Sequence, residues 1–98
     1  MEQYPQRLLF SAGDLIISPG FDAEGLDYLP FLIRHLSGDW ERMPLSERAS
    51  NFHALEFGQE VLSIFSLGKG RLHVGVMTES DRSFTFIFMI DPPTGHLG

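Results

Sequence analysis

The densest run of chemistry-bearing side chains is Thr78-Glu79-Ser80-Asp81-Arg82-Ser83, with two carboxylates, a guanidinium and three hydroxyls in six residues. Carboxylates can move protons and a cation beside them can hold a phosphorane charge, so Glu79, Asp81 and Arg82 are candidate site residues. The same composition also builds an ordinary β-turn. Ser and Asp close turns through their own backbone, and Arg82 has Asp39, Glu79 or Asp81 to neutralise.

Histidine is the other obvious source of acid–base chemistry, and the chain has four: His35, His53, His73 and His96. Their spacing contains neither an HExxH motif nor an i, i+4 pair, so the sequence writes no metal site and calls for no cofactor. His35 is expected at the C-terminal end of a helix, where the helix dipole favours an imidazolium, and its plainest role is a cap. His73 is expected on a strand as a half-exposed residue. Trp40, the single tryptophan, follows Gly38-Asp39 in a loop. Either its ring folds back to close the core, or it stands out as an aromatic anchor for a partner together with Asp39.

The elements that must position these residues change character near Gly58. Leu15-Ile16-Ile17, between Gly13 and Pro19-Gly20, predicts a short N-terminal strand running into a turn. Asp27 is a candidate N-cap for a first helix ending near Leu36, with Leu29, Leu32, Ile33 and Leu36 as its buried stripe and Arg34 outward. Gly38 supplies the stop. A second helix is predicted from Pro44-Leu45 to Phe57, lined by Leu45, Ala49, Phe52, Ala54, Phe57 and either Leu55 or Glu56, with Gly58 as its terminator.

From Gln59 onward apolar residues alternate. Residues 61–66 and 72–77 predict two strands joined through Gly68-Lys69-Gly70, and Phe84 to Ile90 a third that Asp91-Pro92-Pro93 stops. The expected fold is therefore α+β: a short N-terminal strand, two helices, and a three-stranded antiparallel meander packed on the helices. One domain spans residues 1–98, with 1–7 and 92–98 expected to be mobile. The phenylalanines of the helices and of the last strand are expected to build the core.

Composition narrows the function. Seven basic against thirteen acidic residues give a formal charge of −6, which repels nucleic-acid phosphates and disfavours direct nucleic-acid binding. The absence of cysteine excludes disulfides and thiolate metal sites. No stretch has the makings of a signal peptide or a membrane span, so a cytoplasmic location is expected. Nucleophile-elbow, phosphate-loop and dinucleotide fingerprints do not occur.

Arg34-His35, Ser37-Gly38-Asp39-Trp40, Asn51, Ala54, Gly58, Ser63 and Thr78-Glu79-Ser80-Asp81-Arg82-Ser83 with Thr85 form a combined pattern over residues 8 to 90. In that pattern the chain resembles a small uncharacterised bacterial family usually labelled plasmid-related, and by automatic naming a restriction subunit. It departs from the family pattern at Glu41, where a glycine is usual, and at Asp91-Pro92-Pro93, where a Pro-x-Tyr-like tail is usual. The resemblance implies a mobile-element or accessory-genome setting and no defined activity. A methyltransferase subunit is not supported, because no glycine-rich cofactor loop is present.

Three functions fit these observations. The first is a non-catalytic protein-interaction module that modulates a nucleic-acid enzyme or defence system, with acidic side chains meeting a basic partner and His35, Asp39, Trp40, Glu79, Asp81 and Arg82 as binding candidates. The second is a small endoribonuclease of the barnase-like or RelE-like kind, using His35, His73, Glu79 and Arg82, by fold analogy alone. The third is a homo-oligomer subunit. Phe84, Phe86 and Phe88 line one side of the last strand and Thr85, Ile87 and Met89 the other, so cover is needed beyond the helices.

Overall fold

The computed structural model describes residues 8–40, 43–67 and 72–90. In chain order these form β1 (Asp14–Ile17), α1 (Pro19–Ala23), α2 (Leu29–Ser37), α3 (Leu45–Phe57), β2 (Val61–Ser66), β3 (His73–Thr78) and β4 (Phe84–Ile90). The expected turn Gly68-Lys69-Gly70, the departures at Glu41 and residues 91–93, and the two segments expected to be mobile lie outside the described residues.

The sheet is mixed, in the order β1-β4-β3-β2. β2, β3 and β4 pair antiparallel as the alternation predicts, with Val61 opposite Thr78 and Thr78 opposite Thr85. The expectation of a separate N-terminal strand beside a three-stranded meander is corrected here, because β1 runs parallel to β4 and completes the sheet, with Leu15 opposite Thr85. Gly13 makes this junction possible. It has φ 66°, and a Cβ there would lie 2.3 Å from the Ser83 carbonyl oxygen. Only glycine allows β1 to reach β4 at that point.

A third helix was also not expected. Ser18 caps α1 by accepting a hydrogen bond from the Phe21 amide on its Oγ (3.0 Å), and Pro19 occupies the first turn, so the Pro-Gly pair starts a helix instead of a turn. This single turn buries Phe21 against Phe31 of α2. α2 begins one residue later than an Asp27 cap implies, although Asp27 Oδ1 still accepts from the Leu29 amide at 3.1 Å. It ends on Gly38 in the left-handed conformation, as α3 ends on Gly58.

The core lies between the helices and one face of the sheet, and joins Phe21, Trp40, Met43 and Ala54 to Val61, Phe65, Val74, Val76 and Ile87. Burying each large aliphatic or aromatic side chain there contributes about 1.5–3 kcal/mol. Three expectations about this core are corrected. In α3 the buried residues are Asn51 and Ala54, while Leu45, Phe52 and Phe57 are exposed. In α2 the buried set is Leu32, His35 and Leu36, with Leu29 exposed. In β4 it is Thr85 and Ile87 that are buried, and Phe84, Phe86 and Phe88 lie on the opposite face, outside the core cluster.

Candidate functional site

His35 sits near the end of α2 with no solvent exposure, between Ser63 of β2 and Thr78 of β3. Nδ1 lies 2.6 Å from Ser63 Oγ and Nε2 lies 2.8 Å from Thr78 Oγ1. Thr78 Oγ1 is in turn 2.7 Å from Thr85 Oγ1 of β4, and the Thr85 hydroxyl donates to the Ala12 carbonyl at 2.8 Å.

Because a carbonyl only accepts and each hydroxyl has one hydrogen, the last bond fixes the direction of the others. Thr85 donates to Ala12, so Thr78 donates to Thr85, and Thr78 must accept from His35. The imidazole therefore carries its hydrogen on Nε2 and accepts the Ser63 hydroxyl at Nδ1. Every polar hydrogen in this chain of bonds is used. It ties α2 to β2, β3, β4 and the segment leading into β1.

The segment before β1 seals this network. The Leu9 amide donates to the Leu36 carbonyl (2.7 Å), and the Phe10 ring meets His35 edge-on at 5.2 Å between centroids. The Arg82 guanidinium lies over that ring, 5.3 Å from its centroid. Burial, and secondarily the positive charge of Arg82, lower the His35 pKa from 6.5 to about 3. The expected role as a charged helix cap is thus corrected: the ring is neutral at ordinary pH and turned into the sheet, and the helix carbonyls go to backbone amides of Gly38 and Asp39.

Arg82 closes the β3–β4 turn in the left-handed region, with φ 60°, and its Nη1 donates to the carbonyls of Gln59 (2.7 Å) and Glu79 (3.1 Å). No ion pair joins it to Asp39, Glu79 or Asp81 among the described residues. Asp81 accepts from the Ser83 amide at 2.9 Å, and Glu79 accepts from the Ser80 amide at 3.2 Å. Hydrogen bonds from the Ser83 hydroxyl and then its amide hold the exposed Asp81 carboxyl below the usual carboxylate range.

Asp39 and Trp40 form a separate group. Asp39 pairs with Arg34 at 3.4 Å, and the Arg34 guanidinium lies 4.6 Å from the Phe65 ring centroid. Of the two readings of Trp40, the geometry matches the closed core: the residue is 1% exposed and its ring packs edge-on against Phe52. Its Nε1 has no hydrogen-bond partner among the described residues. A cavity of about 340 Å³ opens beside it, with Arg34, Met43, Ile64, Phe65 and His73 among its walls. Glu79, Asp81 and Arg82 do not line that cavity.

The candidates therefore fall into two groups rather than one pocket. His35 and Arg82 meet through Phe10, whereas Asp39, Trp40 and His73 lie at the other end of the β2–β3 pair. His73 and Glu79 are six residues apart along an extended chain, about 20 Å at the rise of a strand. Among the described residues no His, Asp or Glu cluster has metal-binding geometry, and no helix is long and apolar enough to cross a membrane.

The sheet face away from the helices holds the Phe84, Phe86 and Phe88 side of the last strand, for which the sequence calls for cover. Strand alternation places Ile16, Leu62, Ile64, Met77, Phe84, Phe86, Phe88 and Ile90 there, none of them in the core cluster. Phe86 stacks on Phe88 at 5.0 Å, and Phe88 lies over Gly75, where a Cβ would sit 2.5 Å from its ring. Ile16 remains 45% exposed and Leu62 36%. The signal was present in the two-residue period of β4.

No protein-family model matches the chain, and no curated protein or solved structure does either.

Proposed function

We propose that the chain is a non-catalytic protein-interaction module whose docking surface is the helix-free face of the sheet. The observation that carries this reading is the band of eight apolar side chains from Ile16 to Ile90, two exposed and six half-buried and none in the core cluster, while the core cluster joins the described helices to the other face. Exposed contiguous apolar surface of this kind marks interaction sites on folded proteins. The net charge of −6 and the resemblance noted in the sequence support a partner in a nucleic-acid enzyme or defence system of an accessory-genome element. Charge steers such an encounter and apolar contact holds it.

A second reading has its own support. The eight apolar side chains make up most of the open face, with Asp14 at the β1 margin as its carboxylate, so two copies can meet through the apolar band. Two identical right-handed sheets also pack face to face at about −30° with interdigitating side chains. A homodimer closed through Phe84, Phe86 and Phe88 fits that geometry. The ribonuclease reading fits less well, because His35 is enclosed, His73 is remote from Glu79, and Arg82 is engaged with backbone carbonyls.

Sedimentation and hydrophobic-dye binding, compared between the wild type and Phe86→Lys, test the reading. A dimer that Phe86→Lys dissociates identifies the second copy as occupant. A monomer that binds dye, with the signal lost in Phe86→Lys, leaves the face free for another protein. A monomer that binds no dye overturns the proposal.

A further inference from the structure

The sheet has two edges, β1 and β2, and they are finished differently. At β2 the Asn51 side chain bonds both the amide and the carbonyl of Leu62, in the place of a neighbouring strand. β1 has no such cover. The Asp14 amide donates to the Ser83 carbonyl (3.0 Å) and the Ser18 amide to the Ile87 carbonyl (2.9 Å), so the even residues of this segment face β4. Alternation then turns the amides and carbonyls of Leu15 and Ile17 away from the sheet, where no partner meets them among the described residues. Asp14, Leu15 and Ile16 are exposed and Ile17 is half-buried. An open edge of this kind is a template for another strand.

The sequence of the edge selects the occupant. In an antiparallel pair of two β1 strands, Leu15 lies opposite Ile17 of a second copy and Ile17 opposite its Leu15, which makes four backbone hydrogen bonds and uses every outward group. Ile16 then faces its own counterpart across the two-fold axis, in the closely spaced position where side chains touch. Asp14 comes opposite Ser18, and the two Asp14 carboxylates stand about 13 Å apart along the pair, beyond the screening length at physiological salt. Sliding the pair by one repeat in either direction loses donors, because the Gly13 amide is held by Ser11 Oγ (3.4 Å) and Pro19 has no N–H. A further slide toward Gly13 sets Asp14 against Asp14.

From this self-complementarity we infer that β1 is a homodimerisation edge: two copies pair antiparallel through Leu15 and Ile17, with Ile16 at the two-fold axis, and join their sheets into one. The symmetry keeps each face continuous. Because Ile16 lies opposite Phe86 in register, the apolar band of one copy runs on into that of the other. The bonds themselves lie in the plane of the sheet, so this contact does not depend on what docks on the open face.

The test is amide hydrogen exchange and sedimentation of the full chain, with Phe86→Lys present in every sample so that the open face takes no part. Four hydrogen bonds and one apolar pair make a weak dimer, half-formed at about 1 mM or below, so the Leu15 and Ile17 amides are expected to exchange at least about twofold more slowly at about 1 mM than at about 20 µM. Leu15→Pro removes an outward donor that β4 does not use, and abolishes the effect at Ile17 while Val74 and Val76 stay protected. Ser18→Asp still caps α1 but sets a carboxylate against Asp14 of the other copy, and weakens association about fivefold. Adding Asp14→Lys to that variant restores it. Leu15 and Ile17 amides that exchange equally fast at both concentrations, or association that Ser18→Asp leaves unchanged, overturn the inference.

Discussion

His35 Nε2 donates to Thr78 Oγ1 across 2.8 Å inside the protein, and this bond joins the end of α2 to the centre of the sheet. With Ser63 on the other nitrogen, a hydroxyl–imidazole pair exists that in an open cleft would resemble a nucleophile and its base. Here Ser63, His35 and Thr78 have no solvent exposure, so the pair holds the fold and no substrate reaches it.

Removing one member of this network leaves the others buried and unpaired. Replacing His35 by Ala vacates a ring and orphans two hydroxyls, and is expected to destabilise the chain by about 3 kcal/mol or more. Thr78→Val is near-isosteric and is expected to lose about 1–3 kcal/mol. Urea unfolding of both variants and the double variant should show strong non-additivity, since the second substitution removes a group the first has already stranded.

Stability should also fall with acidity. His35 takes up a proton near pH 6.5 when unfolded and only near 3 when folded, so its contribution is complete above about 6.5 and is lost as pH falls toward 3. Between pH 7.5 and pH 5 this amounts to about 2 kcal/mol, read as a lower urea midpoint. His35→Gln should flatten that dependence. Asp81, with its lowered pKa, acts in the same direction but only below about pH 4.

Gly13→Ala is expected to detach β1. The added Cβ meets the Ser83 carbonyl, and φ 66° is unfavourable for alanine, so the parallel pairing with β4 is lost while β2, β3 and β4 persist. Hydrogen exchange should show faster amides at Ile16 and Ser18 with little change at Val74 and Val76.

At the edge of β2, Asn51→Ala frees the Leu62 amide and carbonyl. The expected loss is about 1 kcal/mol, together with greater self-association through the lengthened edge. Unfolding and sedimentation of the variant check both effects.

Much of the fold was legible from residue order. Gly38 and Gly58 stop their helices in the left-handed conformation, and the alternation after Gln59 produces three antiparallel strands. The β1–β4 pairing was not legible, because a parallel partner 70 residues away leaves no local pattern and depends on the close approach at Gly13. α1 was hidden because Ser-Pro-Gly reads as a turn until Ser18 is recognised as a cap. In α3 the apolar spacing pointed to Leu45, Phe52 and Phe57, but Asn51 sets the inward face by reaching the β2 edge. His35, Ser63, Thr78 and Thr85 were each visible as polar residues on apolar elements. Their meeting follows only from the strand register.

Of the catalytic candidates, His35 is interior framework together with Ser63, Thr78 and Thr85. The direct measurement is a ¹⁵N NMR titration of the four histidine side chains between pH 8 and pH 5. The enclosed hydrogen-bond network requires His35 to stay neutral with its hydrogen on Nε2 throughout that range. A His35 ring that protonates near its ordinary value, or carries its hydrogen on Nδ1, would contradict it.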